Sequence, residues 1–136
     1  MKSLVIYYSY SGHTKKIAKE LAEKENADIT EIKDIHRPGK LKAYSLGCLA
    51  AMRGKAWPIM PLDVSLASYE RIILLSPVWA NNPPPAVHAI LQQIPIGKTL
   101  SVKMVSGSGK CGCKDLMKNI AETKGGILES FEDIKA

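Results

Sequence analysis

The chain reads as an open α/β domain built on a parallel sheet, and three observations carry that reading. Apolar runs of strand length alternate with amphipathic stretches of helical period from one end to the other. The clearest runs, Leu4 to Tyr8 and the Ile72 to Leu75 centre of Arg71 to Ser76, are apolar continuously rather than at every second residue, as strands covered on both faces are. Three of the strands also give way to loops rich in Ser, Gly, Pro or Asn, where a parallel strand can turn into its crossover helix. With 136 residues, the chain accommodates one such domain, 1–136, large enough to bury a core without staples.

The elements follow in order. After the first strand, Ile17, Ala18, Leu21 and Ala22 form an apolar stripe on a lysine- and glutamate-rich helix. Ala27 to Ile32 is a weaker run and is expected at a sheet edge. A basic segment from Pro38 to Lys55 is expected to include a second helix, broken by Trp57-Pro58-Ile59-Met60-Pro61. Arg71 to Ser76 is the third strand. Pro83, Pro84 and Pro85 open the next helix, on which Val87, Ile90, Leu91 and Ile94 share a face. Val102 to Val105 is the fourth strand. Leu116, Met117, Ile120 and Ala121 mark the last helix, and Ile127 to Ile134 the final strand. No repeat, linker or low-complexity tract interrupts this alternation.

A 46% hydrophobic and 24% charged composition places the chain among soluble globular proteins, and no apolar run reaches membrane-spanning length. Three cysteines fit no disulfide framework and point to a reducing, cytoplasmic setting. The net charge of +6 is less ordinary. Much of the excess lies between Lys33 and Lys55, where Arg37, Lys40, Lys42 and Arg53 stand against Asp34 alone. That is either a solvated surface or a contact for an anionic partner. No aromatic-interleaved basic ladder accompanies it, which argues against nucleic acid.

In open parallel sheets ligands bind beyond the carboxyl ends of the strands. The first loop there, Ser9-Tyr10-Ser11-Gly12-His13-Thr14, offers hydroxyl donors, a glycine and the start of a helix, whose unpaired N–H groups attract anions. The alternative is a plain N-cap and turn, which Ser and Thr often supply without a ligand. His13, Lys15 and Lys16 fill the first helical turn, where the helix dipole favours acids, and a bound phosphate would remove that conflict. The second loop runs from Ser76 to Pro85 and sets Trp79 between prolines, either as a cap on the core or as a flat wall for a planar ring. The third, Ser106-Gly107-Ser108-Gly109-Lys110, is a turn that could present backbone groups to a ring edge.

Ser9-x-Ser11-Gly12-x-Thr14 resembles the phosphate loop of the flavodoxin family, and with the other two loops the resemblance spans essentially the whole chain. It is closest to short-chain flavodoxin-like FMN-binding proteins with an Arg-Gly-Lys-x-x-Pro-Ile-x-Pro segment, here Arg53 to Pro61. The resemblance implies a flavodoxin-like five-stranded parallel sheet of order 2-1-3-4-5, helices on both faces, and FMN at the switch in strand order. It implies that Ser9, Ser11, Gly12, His13 and Thr14 hold the phosphate. Pro77, Val78, Trp79 and Ala80 would flank the flavin ring, and Ser106, Gly107, Ser108 and Gly109 would close its other edge. The function implied is electron transfer through a non-covalent flavin, to a redox partner protein or a small-molecule acceptor. A small NAD(P)H-dependent flavin or quinone reductase is the alternative, and a flavin-free anion-binding module of the same fold is a third.

Three departures bear on that choice. Carrier flavodoxins are usually acidic, whereas this chain is basic. Many stack a tyrosine on the ring from the third loop, whereas Ser106 to Cys113 contains no aromatic residue. The family usually ends in a helix after the fifth strand, whereas the sequence stops at Ala136. Without that helix one sheet face is expected to be apolar and exposed, covered by a second copy of the chain or by another chain, with a truncated sequence as the alternative.

Other chemistries find less support. Three cysteines cannot supply a four-thiolate cluster, and Cys111-Gly112-Cys113 lacks the usual zinc spacing. His36 and His88 have no partner spacing and are expected at the surface. Phospho-receiver domains need aspartates where Tyr7-Tyr8-Ser9 stands, and small tyrosine phosphatases need a cysteine and an arginine in the first loop.

Overall fold

The computed structural model describes residues 2–9, 12–35, 46–53, 55–79, 82–106 and 112–135. Five strands form one sheet: β1 (Ser3–Tyr7), β2 (Asp28–Glu31), β3 (Arg71–Pro77), β4 (Thr99–Ser106) and β5 (Ile127–Lys135). Among the described residues the helices are α1 (His13–Glu25), α2 (Cys48–Met52), α3 (Pro85–Gln93) and α4 (Lys114–Thr123). All four strand pairings are parallel, and the order is β2-β1-β3-β4-β5, the order the resemblance implies.

The continuous apolar runs are explained by what covers each face. Along β1 and β3, Leu4, Ile6, Ile72 and Leu74 join α3 and α4 in one core, built with Val87, Ile90, Leu91 and Met117. Their neighbours Val5, Tyr7, Ile73 and Leu75 join Ala18 and Ala22 of α1 in a second core on the opposite face. In β3, Ile72 to Leu75 are almost wholly buried, each stabilising the fold by about 1.5–3 kcal/mol. Because β1 is joined to neighbours on either side, the crossover helices fall on opposite faces, and the ends of β1 and β3 form the switch point at which open parallel sheets bind ligands.

Helix α3 is buried at every position from Pro85 to Leu91, because it lies on central strands and packs against α2. His88 is therefore a buried residue, 6% exposed, and not the surface histidine its isolated spacing suggested. A helix flanked on both sides by other helices has too little solvated arc for sequence period to identify it. Cys113 likewise lies in the larger core, just before α4. Among the described residues no helix is long and apolar enough to cross a membrane.

Strand β5 holds a second correction. Leu128 and Phe131 both pack on the α4 side, although residues three apart cannot share a face of a regular strand. The register shifts opposite Leu100/Ser101, so that Ser101 pairs with Ser130 and Glu129 is the extra residue. On the α1 side of β3, β4 and β5, polar pairs occupy the ground where an exposed apolar face was expected. The Ser101 and Ser130 hydroxyls share a hydrogen bond, Lys103 Nζ lies 2.6 Å from Glu132 Oε2, and Arg71 Nη2 lies 2.7 Å from Glu129 Oε1. Polar pairs of this kind give the face partners of its own.

Candidate functional site

The site forms where β1 and β3 end side by side. Tyr8 extends the pairing beyond β1 by donating its N–H to Leu75 O at 3.1 Å, and Ser9 follows, 8% exposed. Gly12 caps α1 at φ +100°, a left-handed conformation that glycine adopts without steric cost. Its N–H donates to Ser9 Oγ at 3.0 Å, so Gly12 contributes backbone shape to the loop while its own donor is engaged. The first helical bond runs from Lys16 N to Gly12 O. Helix geometry therefore leaves the N–H groups of His13, Thr14 and Lys15 without a carbonyl four residues back. No acid occupies that turn. His13 is exposed and Thr14 is buried. Ser11 lies outside the described residues.

The second loop leaves β3 at Pro77. Val78 and Trp79 are half-buried, and Trp79 exchanges backbone hydrogen bonds with Asn82 at 2.8 and 3.0 Å. That exchange pins both ends of the turn just before Pro84 and Pro85 start α3, where proline lacks only an N–H that the helix does not need. Ala80 lies outside the described residues. The Trp79 indole meets Tyr8 edge to face, with centroids 6.1 Å apart and planes at 70°. Pairing of Pro77 with Val105 brings Ser106, at the end of β4, to the same end of the sheet. Gly107, Ser108 and Gly109 lie outside the described residues.

Tyr8 and Gly47 are the contributors that the sequence reading missed. Tyr8 sits at the join of strand and loop and donates its hydroxyl to Asp34 Oδ2 at 2.6 Å, which ties the first loop to the segment after β2. Its signal was positional: it is the last ring of the apolar run. Gly47, at the start of α2, had no signal of its own. A Cβ there would stand 2.6 Å from Trp79 Cζ3 and 3.5 Å from Trp57 Cη2, so only glycine admits the indole at this distance. Trp57 is tied to the start of α3 through its backbone N–H, which donates to Pro85 O at 3.3 Å.

A helix N-terminus without acids, a glycine-shaped loop and a two-ring aromatic corner thus meet at the switch in strand order. Among solved structures, a flavoprotein from Lactobacillus acidophilus NCFM in complex with FMN superposes with a TM-score of 0.77 at 23% identity, covering 96% of this chain and 91% of that one. The fold is flavodoxin-like. The apo form of that same flavoprotein matches with a TM-score of 0.70 at 23% identity over 97% of this chain and 92% of that one. Oxidised flavodoxin 2 from Bacillus cereus matches at 0.59 and 18% identity over 100% and 86%. No protein-family model matches the sequence, and no curated protein matches it. The flavodoxin-like sheet places the Ser9 and Trp79 loops as neighbours, and the donors and aromatic surface there suit a phosphorylated planar ring.

Proposed function

We propose that the chain binds FMN non-covalently at this end of the sheet and transfers electrons through it. The observation that carries the proposal is the aromatic corner of Trp79 and Tyr8 standing beside an acid-free helix N-terminus at the β1/β3 switch point. In this reading Ser9, Ser11, His13 and Thr14 surround the phosphate, and Gly12 shapes their loop. Pro77, Val78, Trp79 and Ala80 lie along the ring, and Ser106 to Gly109 close its edge. Bound FMN would supply one- and two-electron redox chemistry, which the protein would tune through hydrogen bonds and charge at the ring. Phosphate held at the N-terminus of α1 would be favoured by the dipole and by Lys15 and Lys16. The likeness to a flavoprotein solved with FMN supports the choice of ring.

The decisive experiment titrates the flavin-free protein with FMN and, separately, with riboflavin, following flavin fluorescence. Saturable quenching by FMN with much weaker riboflavin binding is the expected result. Equal affinities would remove the phosphate loop from the proposal, and binding of neither would sink it.

A second reading is favoured by the absence of any aromatic residue from Ser106 to Cys113. An uncovered ring face would admit a nicotinamide or quinone, making the protein a small reductase rather than a carrier. Adding NADPH to the FMN-loaded protein without any partner separates the two. Rapid loss of the oxidised flavin's absorbance supports the reductase, and an unchanged spectrum supports the carrier.

A further inference from the structure

Beyond the two loops, α2 and the chain that follows it line an open cavity of about 400 Å³. Leu46, Leu49, Ala50, Trp57 and Pro58 make its apolar lining. The local fold explains why it is open. Helix α2 is five residues long, and the chain turns back at once, with Lys55 N–H donating to Ala50 O at 2.9 Å. Ala50 faces inward at 8% exposed, but Leu46 and Leu49 remain 53% and 42% exposed. Large apolar side chains gathered around a concavity on a soluble protein mark a place where something binds.

The rim identifies the chemistry. Arg53 and Lys55 line the same cavity, both exposed. Among the described residues neither takes part in an ion pair; the cations that do are Arg71 and Lys103. The sequence offers them no nearby counter-charge, because residues 35–62 contain Arg37, Lys40, Lys42, Arg53 and Lys55 and no Asp or Glu. A guanidinium presents a planar fork suited to a carboxylate, and the Trp57 indole offers a face for an aromatic ring. A volume near the lower end of ligand pockets fits a one- or two-ring molecule better than a dinucleotide.

We infer that this cavity is a binding site for an aromatic carboxylic acid, its ring against Trp57 and its carboxylate held by Arg53 and Lys55. The inference does not rest on the proposed flavin site, although the two adjoin at Gly47, where an added Cβ would stand 2.6 Å from Trp79 and 3.5 Å from Trp57.

The test uses the full chain without flavin, titrated by calorimetry with 2-naphthoate, benzoate and, as the uncharged match, 2-naphthalenemethanol. Naphthoate is expected to bind saturably and about tenfold more tightly than the alcohol, the difference one charge-assisted contact provides. The double variant R53Q/K55Q should bring naphthoate down to the alcohol's affinity, leave the alcohol's affinity unchanged, and melt at the parent temperature. The variant Trp57→Leu should weaken naphthoate and the alcohol alike. The inference is overturned if neither acid binds saturably, if R53Q/K55Q binds naphthoate as tightly as the parent, or if FMN displaces naphthoate one for one. FMN binding by R53Q/K55Q at the parent's affinity would keep the two sites apart; where the parent binds no FMN, the naphthoate titrations alone decide this inference.

Discussion

Two residues govern the aromatic wall, and they give opposite signatures when changed. Trp79→Ala removes the wall, so FMN affinity should fall by a stacking contribution of roughly 0.5–1.5 kcal/mol beyond the lost contact area. Unchanged affinity in a fluorescence titration would place the ring elsewhere. Gly47→Ala keeps the indole but crowds it, since the new Cβ would stand 2.6 Å from Cζ3. Displacing a side chain some 30° from its rotamer costs about 0.5–1.5 kcal/mol. Alanine meanwhile favours a helix over glycine by about 1 kcal/mol, so the melting temperature should hardly move while FMN affinity drops. A variant that loses stability and keeps its affinity would contradict this account. The place of Trp79 at the end of β3 was legible in the sequence, because the apolar run stops there at a proline-flanked loop; the indole also packs against the larger core. Gly47 was not, because its role exists only once a residue 32 positions along the chain folds back onto it.

At the scale of elements, strands buried on both faces announced themselves, whereas the edges were harder to read. β2 has only β1 as a neighbour in the sheet, and side-chain bonds reinforce it. Tyr69 Oη donates to Asp28 Oδ2 and Thr30 Oγ1 to Asp63 Oδ1, each at 2.6 Å, tying β2 to the connection that leads into β3. The bond to Asp28 holds the Tyr69 phenol above its ordinary pKa of 10.0, with burial and the Asp28 and Asp63 charges adding to it. Burial, with Glu31 nearby, raises Tyr7 in the same direction. A phenol whose folded pKa is raised contributes stability that is fully present below the unfolded pKa. That stability is lost as pH climbs through the folded value. Stability should therefore decline above about pH 10, and Tyr69→Phe should flatten the decline while costing about 1 kcal/mol at neutral pH. Urea unfolding of both proteins between neutral pH and pH 11 checks this; parallel curves would remove Tyr69 from the alkaline response. The bulge at Glu129 was equally hidden, since the three-residue spacing of Leu128 and Phe131 suits a helix face and not a strand until one residue is set outside the ladder.

For the molecule as a whole, the polar pairs on β4 and β5 and the positive charge determine what a ligand can do. Ser101, Lys103 and Arg71 are already partnered on the α1 side, and a bound ligand would add stability to these contacts. A ligand bound only by the folded chain stabilises it by RT ln(1 + [L]/Kd), about 2.7 kcal/mol at a hundredfold excess over Kd. For a domain of this size that corresponds to a rise in Tm of roughly 5–12 °C. FMN brings a phosphate to a protein of net charge +6, so raising salt should shrink its Tm increment. Riboflavin carries no phosphate, and its smaller increment should be indifferent to salt. Calorimetric melts with each flavin at low and high ionic strength separate the contributions. If the FMN increment survives high salt undiminished, the ring rather than the phosphate dominates binding, and the loop from Ser9 to Thr14 is then a helix cap.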